Sequence, residues 1–535
     1  MNKVFYNTCF FIFSIQIFSQ TQLGSDIDGE AAGDYAGYSV SLSSDGTIVA
    51  IGANGNDGTG SSAGHTRIYQ YSGGSWSQLG SDIDGEAAGD YSGNSVSLSS
   101  DGTIVAIGAY LNDGTGTSAG HTRIYQYSGG SWSQLGSDID GEAASDASGQ
   151  SVSLSSDGTI VAIGAYVNDG TGTSAGHTRI YQYSSGSWSQ LGSDIDGEAA
   201  GDYAGHSVSL SSDGTIVAIG AQGNDGAGSS AGHTRIYQYS GGSWSQLGSD
   251  IDGEAAGDYA GHSVSLSSDG TIVAIGAYHN NGTGSGAGHT RIYQYSGGSW
   301  SQLGSDIDGE AVDDLSGKSV SLSSDGTIVA IGAYLNDGTG TSAGGHTRIY
   351  QYSSGSWSQL GSDIDGEATS DYAGWSVSLS DDGTKVAIGA YLNDGTATSA
   401  GHTRIYSLQT NSTPTNITLN PTTVNENVSI GTTVGGLTST DSDSGDSHSY
   451  SLVSGSGDTD NSSFSISGSN LLTATSLDYE TKNSYSIVIQ TSDGTATYSK
   501  TFTISVADVD EDSDGDGLAN SADNCPTTAN ADQLD

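Results

Sequence analysis

One spacing constrains this chain more than anything else in it. Trp76, Trp132, Trp188, Trp244 and Trp300 stand 56 residues apart, and Trp357 follows after 57 because Gly344-Gly345 adds one residue. The unit from Gln22 to Ser77 reads QLGSDIDGEAAGDYAGYSVSLSSDGTIVAIGANGNDGTGSSAGHTRIYQYSGGSWS. Near-identical copies begin at Gln22, Gln78, Gln134, Gln190, Gln246, Gln302 and Gln359, which makes seven. A unit of this size cannot bury a core alone, so the copies must pack on one another.

Within a unit the pattern is β. Tyr38-Ser39-Val40-Ser41-Leu42-Ser43 alternates apolar and polar residues, as a half-buried strand does. Ser44-Asp45-Gly46 is a turn, because Asp-Gly supplies the positive φ of a tight hairpin. Thr47 to Ala53 is almost continuously apolar and suits a strand buried on both faces. Asn54 to Gly64 is a polar loop, His65 to Tyr71 alternates again, and Gly73-Gly74 turns the chain into Ser75-Trp76-Ser77-Gln78-Leu79. Four antiparallel strands per unit, repeated, predict the blades of a β-propeller.

The ends of the array predict how it closes. The last copy stops after Gly401-His402-Thr403-Arg404-Ile405-Tyr406 without a WSQL strand, while the array begins with an orphan Thr21-Gln22-Leu23-Gly24. The strand near Gln22 is therefore expected to pair with His402–Tyr406, which also hides a sheet edge. The alternative is an open solenoid.

Ala36-Gly37-Tyr38-Ser39-Val40-Ser41-Leu42, Ile51-Gly52-Ala53 and Gly64-His65-Thr66-Arg67-Ile68-Tyr69 recur seven times, and together they resemble the FG-GAP repeats of integrin α-chain propellers. The resemblance implies a seven-bladed β-propeller over residues 20–407. Many such repeats carry an Asp-rich calcium loop between the first two strands. Here that turn holds one carboxylate, Asp45, too few for the six to eight oxygens calcium takes, so no calcium is expected there.

Charge narrows the partners. The chain has 535 residues, 12 Lys+Arg and 61 Asp+Glu, for a formal charge of −49. All seven Arg lie in the HTR motif and only Lys3, Lys318, Lys385, Lys482 and Lys500 are lysines, so no basic patch can form. Nucleic acid is excluded as a partner, and anionic membrane surfaces are disfavoured. Lys3 followed by Phe10-Phe11-Ile12-Phe13 and ending at Ser19-Gln20 reads as a signal peptide over residues 1–19. Its removal would take Cys9 and leave Cys525 as the one mature cysteine, so disulfides are not expected to hold the fold. No segment is long and apolar enough to insert directly in a membrane.

After a linker at residues 408–415 the repeat vanishes. Asn416-Ile417-Thr418-Leu419, Tyr450-Ser451-Leu452-Val453, Ser463-Phe464-Ser465-Ile466, Tyr485-Ser486-Ile487-Val488-Ile489 and Thr501 to Val506 alternate as strands of a Greek-key β-sandwich over residues 416–510. Asn425-Glu426-Asn427, Asp441-Ser442-Asp443, Leu477-Asp478-Tyr479-Glu480 and Asp508-Val509-Asp510-Glu511, in that order, resemble a cadherin domain. That resemblance implies a calcium cluster of Glu426, Asp478, Glu480, Asp508 and Asp510, and implies homophilic cell adhesion. Asp441 and Asp443 would serve a site shared with a preceding cadherin domain, and none precedes here. Solvated loop acids are the alternative reading.

The tail at residues 511–535 carries a twelve-position calcium loop. Asp512, Asp514, Asp516 and Asp523 fall at positions 1, 3, 5 and 12, Gly517 at position 6 permits the sharp turn, and Leu518 at position 7 offers a carbonyl. With Asp523-Asn524-Cys525-Pro526 it resembles part of a thrombospondin type 3 repeat. In that family the CP cysteine pairs with another cysteine, and the break at Asp535 reads as a fragment or early stop. Without calcium, mutual repulsion should leave this acidic tail disordered.

Three repeated features remain. Asp26, Asp28 and Glu30, with Asp34 beyond, either gather as a loop site or line one exposed strand face. The histidines His65, His121, His177, His233, His289, His346 and His402 come one per blade, so a ring spreads them out instead of converging three on one zinc. The residue before Ser-Val differs in every blade but two: Tyr38, Asn94, Gln150, His206, His262, Lys318 and Trp375. The pair after Ile-Gly-Ala varies as well, with Tyr110 and Tyr334 among its members. Core positions could not absorb such changes, so these sites are expected to be exposed on one face. Tyr110, Tyr334 and Trp375 are candidate contacts for a protein or glycan ligand, with drift as the alternative. A propeller hydrolase, lyase or quinoprotein needs unlike groups converging in the channel, and the repeats show none. The sequence therefore reads as a non-enzymatic, secreted or bacterial cell-surface adhesion protein that binds calcium, with a propeller enzyme or a passive spacer without ligand as the alternatives.

Overall fold

The computed structural model describes residues 17–337, 343–441, 447–494, 496–512 and 514–533. One compact unit is Gln20–Gln409, and the other takes in Thr410–Asp535. Most of the expected signal peptide, residues 1–16, lies outside the described residues.

The chain is all-β, and among the described residues its seven repeats form seven five-stranded sheets. In the first, Ala36–Leu42 is innermost, followed outwards by Ile48–Ala53, His65–Ser72 and Ser75–Gln78. Val40 opposes Ile51, Val49 opposes Tyr69, and Tyr71 opposes Trp76. The fifth strand was not expected. The WSQL strand ends where Gly80 adopts φ +80, and Ile83-Asp84 then re-pairs with the start of the third strand, Thr66 opposite Ile83 and His65 opposite Asp84. Burial of Ile83, 4% exposed, accounts for this short return.

The array closes as the missing strand predicted. Ile17–Gln22 pairs with His402–Asn411 to complete the seventh sheet. Leu23 N–H donates to the Ile405 carbonyl at 2.7 Å, and Ile27-Asp28 opposes Thr403 and His402. Gln20 takes the place that tryptophan holds in the other outer strands. Its Nε2 donates to the Leu360 carbonyl at 3.4 Å, the counterpart of the 2.6 Å bond from Trp76 Nε1 to Leu23. A cycle of backbone hydrogen bonds runs Ser44, Ser100, Ser156, Ser212, Ser268, Ser324, Asp381 and back to Ser44, each N–H donating to the next carbonyl at 2.8–2.9 Å. A cycle that returns to its start excludes the open solenoid.

The core lies between blades. Ile-Val-Ala-Ile-Gly-Ala is buried along its whole length in the first repeat, and its side chains interleave with those of the next sheet. Contact is so close that a Cβ at Gly52 would meet the Gly93 carbonyl oxygen of the neighbouring blade at 2.0 Å. Many repeat acids hold this frame together. Buried Asp34 accepts from the Ala31 N–H at 2.8 Å. Glu30 pairs with Arg67 Nη1 at 3.3 Å, while Arg67 Nη2 donates to the Asp28 carbonyl at 2.7 Å. Of the three alternating acids, Glu30 is exposed and Asp26 and Asp28 are half-buried, while Asp34 beyond them is a buried cap.

The second unit contains two four-stranded sheets. Asn416–Asn420, Thr433–Thr440, Asn470–Thr473 and Phe464–Ser467 make one. Thr423–Asn425, Thr497–Ala507, Ser484–Ser492 and Ser449–Leu452 make the other. Between them lie Ile417, Leu437, Leu471, Leu477, Ile487, Ile489 and Ile504. Thr433–Thr440 escaped the sequence reading because Gly435-Gly436 interrupts its alternation, and the register shifts between Thr433 and Gly435.

Candidate functional site

At one end of the sandwich four predicted acids come together. Glu426 is 2% exposed; its Oε1 accepts from Val509 N–H and its Oε2 from Tyr479 N–H, both at 2.7 Å. These bonds, led by that from Val509, hold its carboxyl below the ordinary range. Asp478 accepts from Thr481 N–H and Oγ1, both at 2.9 Å, and is lowered by them. A bond from its own N–H pulls Glu480 down. Some loss of hydration and the charges of Glu426, Asp508 and Glu511 outweigh that bond and raise it. Glu511 was missed as a ligand candidate, although it ends the same acidic run, and it accepts a hydrogen bond from Asn427 Nδ2. Asp510 has a partner of its own. Its carboxylate accepts from Ser521 N–H at 3.0 Å and from the Ser521 hydroxyl, which lower it and tie it to the tail. Asp441 lies elsewhere, facing His448 Nε2 at 3.4 Å, and Asp443 is outside the described residues.

The tail loop gathers its acids around Asp514. Asp512 Oδ1 accepts from Gly515 N–H at 2.7 Å and its Oδ2 from Gly517 N–H at 2.9 Å, so the glycine-containing turn wraps this carboxylate. Asp516 accepts from Leu518 N–H at 3.0 Å and Asn530 N–H at 2.9 Å. Asp523 accepts from Cys525 N–H at 2.9 Å and Gln533 Nε2 at 2.8 Å. Burial raises the Asp514 carboxyl, against one bond from Asp516 N–H, and the charges of Asp516, Asp523 and Asp512 raise it further. Its Oδ2 is buried without a hydrogen-bond partner. Convergent carboxylates around an orphaned oxygen fit a hard divalent cation such as calcium.

The varied propeller positions are not exposed as expected. Tyr38, Gln150, His206, His262, Lys318 and Trp375 are half-buried and Asn94 is buried. The error has a simple cause. They sit at the start of the innermost strand, at the channel end opposite the Ser44 cycle, where each meets its counterparts from other blades. Asn94 Nδ2 donates to the Gln150 carbonyl at 3.2 Å, and His206 Nδ1 to the His262 carbonyl at 3.2 Å. Lys318 Nζ donates to His262 Nε2 at 2.9 Å and lies 4.0 Å from the Trp375 ring centroid. Trp375 packs on Tyr38 at 5.5 Å, Tyr391 at 4.7 Å and Tyr334 at 5.0 Å. Tyr110 packs on Tyr91 at 6.0 Å. Differences that a symmetric core could not absorb are thus tolerated here because unlike residues meet one another. Burial lowers Lys318 to about 7 and, with Lys318 adding, His206 to about 4. It pushes Tyr38 and Tyr278 up to about 12.

The repeated histidines are buried and do not meet one another. Each instead faces acids: Glu30, His65 and Asp82 offer ligand atoms within 4.8 Å of one another, and four further blades match. Arg67 already neutralises Glu30 in this group. Among the described residues no helix is long and apolar enough to cross a membrane.

Comparison with known families follows the same order along the chain. Residues 83–125 match the FG-GAP repeat, 420–507 the cadherin domain and 508–533 the thrombospondin type 3 repeat. No curated protein matches the chain. Among solved structures it is similar to a candidate 6-phosphogluconolactonase from Bacteroides uniformis, at 12% identity and TM-score 0.43 over 62% of this chain and 85% of that one. It is also similar to the periplasmic gluconolactonase of Pseudomonas aeruginosa, at 15% identity and TM-score 0.43 over 61% and 85%. Likeness this distant does not bear on activity. Cadherin and thrombospondin type 3 repeats are typically extracellular, calcium-binding modules, and this chain carries both after an FG-GAP propeller.

Proposed function

We propose that this is a secreted or cell-surface calcium-binding adhesion protein, in which the propeller is a recognition head that binds without turnover. The cadherin-like sandwich and the tail would form a stalk that calcium stiffens by neutralising clustered carboxylates. The observation that carries this reading is the Asp514 cluster, in which Asp512, Asp516 and Asp523 crowd the orphaned buried oxygen of Asp514. Glu426, Asp478, Glu480 and Asp508 supply a second acidic group, with Asp510 and the Leu518 carbonyl as further candidate ligands. Adhesion of one copy to another rests on the cadherin match alone.

The ligand would be a protein or a glycan held over the aromatic end of the propeller channel, with Trp375 and Tyr334 as contacts and Tyr110 beside them. Replacing Tyr110, Tyr334 and Trp375 together by alanine should abolish binding on glycan arrays and to cells while the calcium response stays intact. Unchanged binding by a folded triple variant would remove the recognition role.

A further inference from the structure

At the channel mouth the seven near-identical repeats differ at equivalent positions, and the differences assemble a group of separated roles. Lys318 Nζ lies 2.9 Å from His262 Nε2, and His262 Nδ1 lies 2.7 Å from Gln222 Oε1. The three residues come from three successive blades. Gln222 Oε1 can only accept, so His262 carries its proton on Nδ1 and turns the Nε2 lone pair to the amine. This is an amine, a base in hydrogen-bond reach, and a third group orienting the base, the arrangement of an activated nucleophile.

We propose that Lys318, His262 and Gln222 form a reactive-amine site that captures small carbonyl compounds, aromatic aldehydes in particular, as a reversible imine. The amine nitrogen adds to the carbonyl carbon while His262 Nε2 takes a proton from nitrogen. That proton passes to the carbonyl oxygen to give the carbinolamine, and His262 then carries the remaining N–H proton to the hydroxyl, which leaves as water as the C=N bond forms. No oxidant or reductant is consumed. Trp375 at 4.0 Å, Tyr278 at 5.6 Å and Tyr334 at 5.9 Å from Nζ wall the amine with flat faces that suit an aromatic aldehyde.

The other described lysines are engaged differently. Lys385 donates to the Asp45 carbonyl at 2.8 Å, Lys482 pairs with Asp460, and Lys500 donates to Asn416 Oδ1 and the Ile417 carbonyl at 2.8 Å. Those acceptors are oxygens, which hold an ammonium. Lys318 alone among the described lysines has an imidazole nitrogen as its hydrogen-bond acceptor. The titratable groups facing it are His206, His262 and His279 with Tyr278 and Tyr334, and among the described residues no carboxylate pairs with it. Burial without a counter-charge favours the neutral, nucleophilic amine near neutral pH.

The test uses the full chain, benzaldehyde and cyanoborohydride, with the trapped secondary amines located by peptide mass mapping. At pH 7 Lys318 should be labelled roughly tenfold or more faster than Lys385, Lys482 and Lys500, which serve as internal controls. That preference should shrink as pH approaches 10, where the other lysines also lose their protons, and His262→Asn should reduce labelling of Lys318 alone. Labelling of Lys318 no faster than of the other three in the unmodified protein would overturn the proposal. So would an undiminished Lys318 rate in a folded His262→Asn variant. Neither result touches the calcium reading.

Discussion

Gly164 shows what one residue decides here. A Cβ on it would lie 1.9 Å from the Gly205 carbonyl oxygen of the next blade, and that atom is backbone that cannot swing away. Gly164→Ala should therefore destabilise the propeller by about 2 kcal/mol or more, read as a lower midpoint in urea unfolding. A midpoint within error of the parent would show that the blades are less tightly packed than described. The sequence announces a buried Ile-Gly-Ala strand but not this contact, which exists only once two blades are juxtaposed. The same limit hid the channel mouth. Lys318, His262 and Trp375 looked like tolerant surface because equivalent positions differ between copies. Around a closed ring those positions touch each other, so variation there reports mutual fit.

At the scale of elements, the third strand of every blade places a buried histidine beside an arginine. Burial, with that arginine adding, pushes His121, His289, His346 and His402 down to about 4, and lowers His65, His177 and His233 in the same direction. The unfolded chain takes up these protons near 6.5 and the folded chain does not. Their contribution to stability is therefore complete above about 6.5 and lost as pH falls towards about 4. The turn aspartates, such as Asp45, act lower. Partial burial raises Asp45, but bonds from Thr47 and Ser43 outweigh it and hold the carboxyl below 3.8, so its contribution persists until more acid conditions. Asp28, Asp140, Asp308, Asp365, Glu310 and Glu367 are raised mainly by partial burial and work in the opposite sense. Their exposure to solvent makes them the smaller effect. Differential scanning calorimetry in chelator should show the propeller transition falling between pH 7 and 5. A transition constant over that range would contradict the burial of the histidines. The period, the turns and the alternation made four strands per blade legible. The fifth was not, because two residues, Ile83-Asp84, carry no periodicity.

For the molecule as a whole, the −49 resolves into two kinds of acid. In the propeller many are structural, capping loops as Asp34 does or pairing with arginine as Glu30 does. In the second unit they crowd together without cations to match. Motif spacing made the Asp512–Asp523 loop and most of the Glu426 cluster legible, because carboxylates at fixed positions in a loop or at the ends of strands need little further information to be placed. It did not foresee that the Ser521 turn holds the Asp510 side chain, and it overlooked Glu511. Asp514→Asn isolates the tail. It should ease repulsion without calcium, leaving the loop equally or slightly more stable, while weakening calcium affinity roughly tenfold in a calorimetric titration. Unaltered affinity would place the ion elsewhere.

The most direct test of the account is calorimetry of the full chain in calcium and in chelator. Calcium should raise the unfolding transition of the sandwich and tail by several degrees and leave that of the propeller in place. If neither transition moves, or only the propeller responds, the calcium-stiffened stalk is wrong.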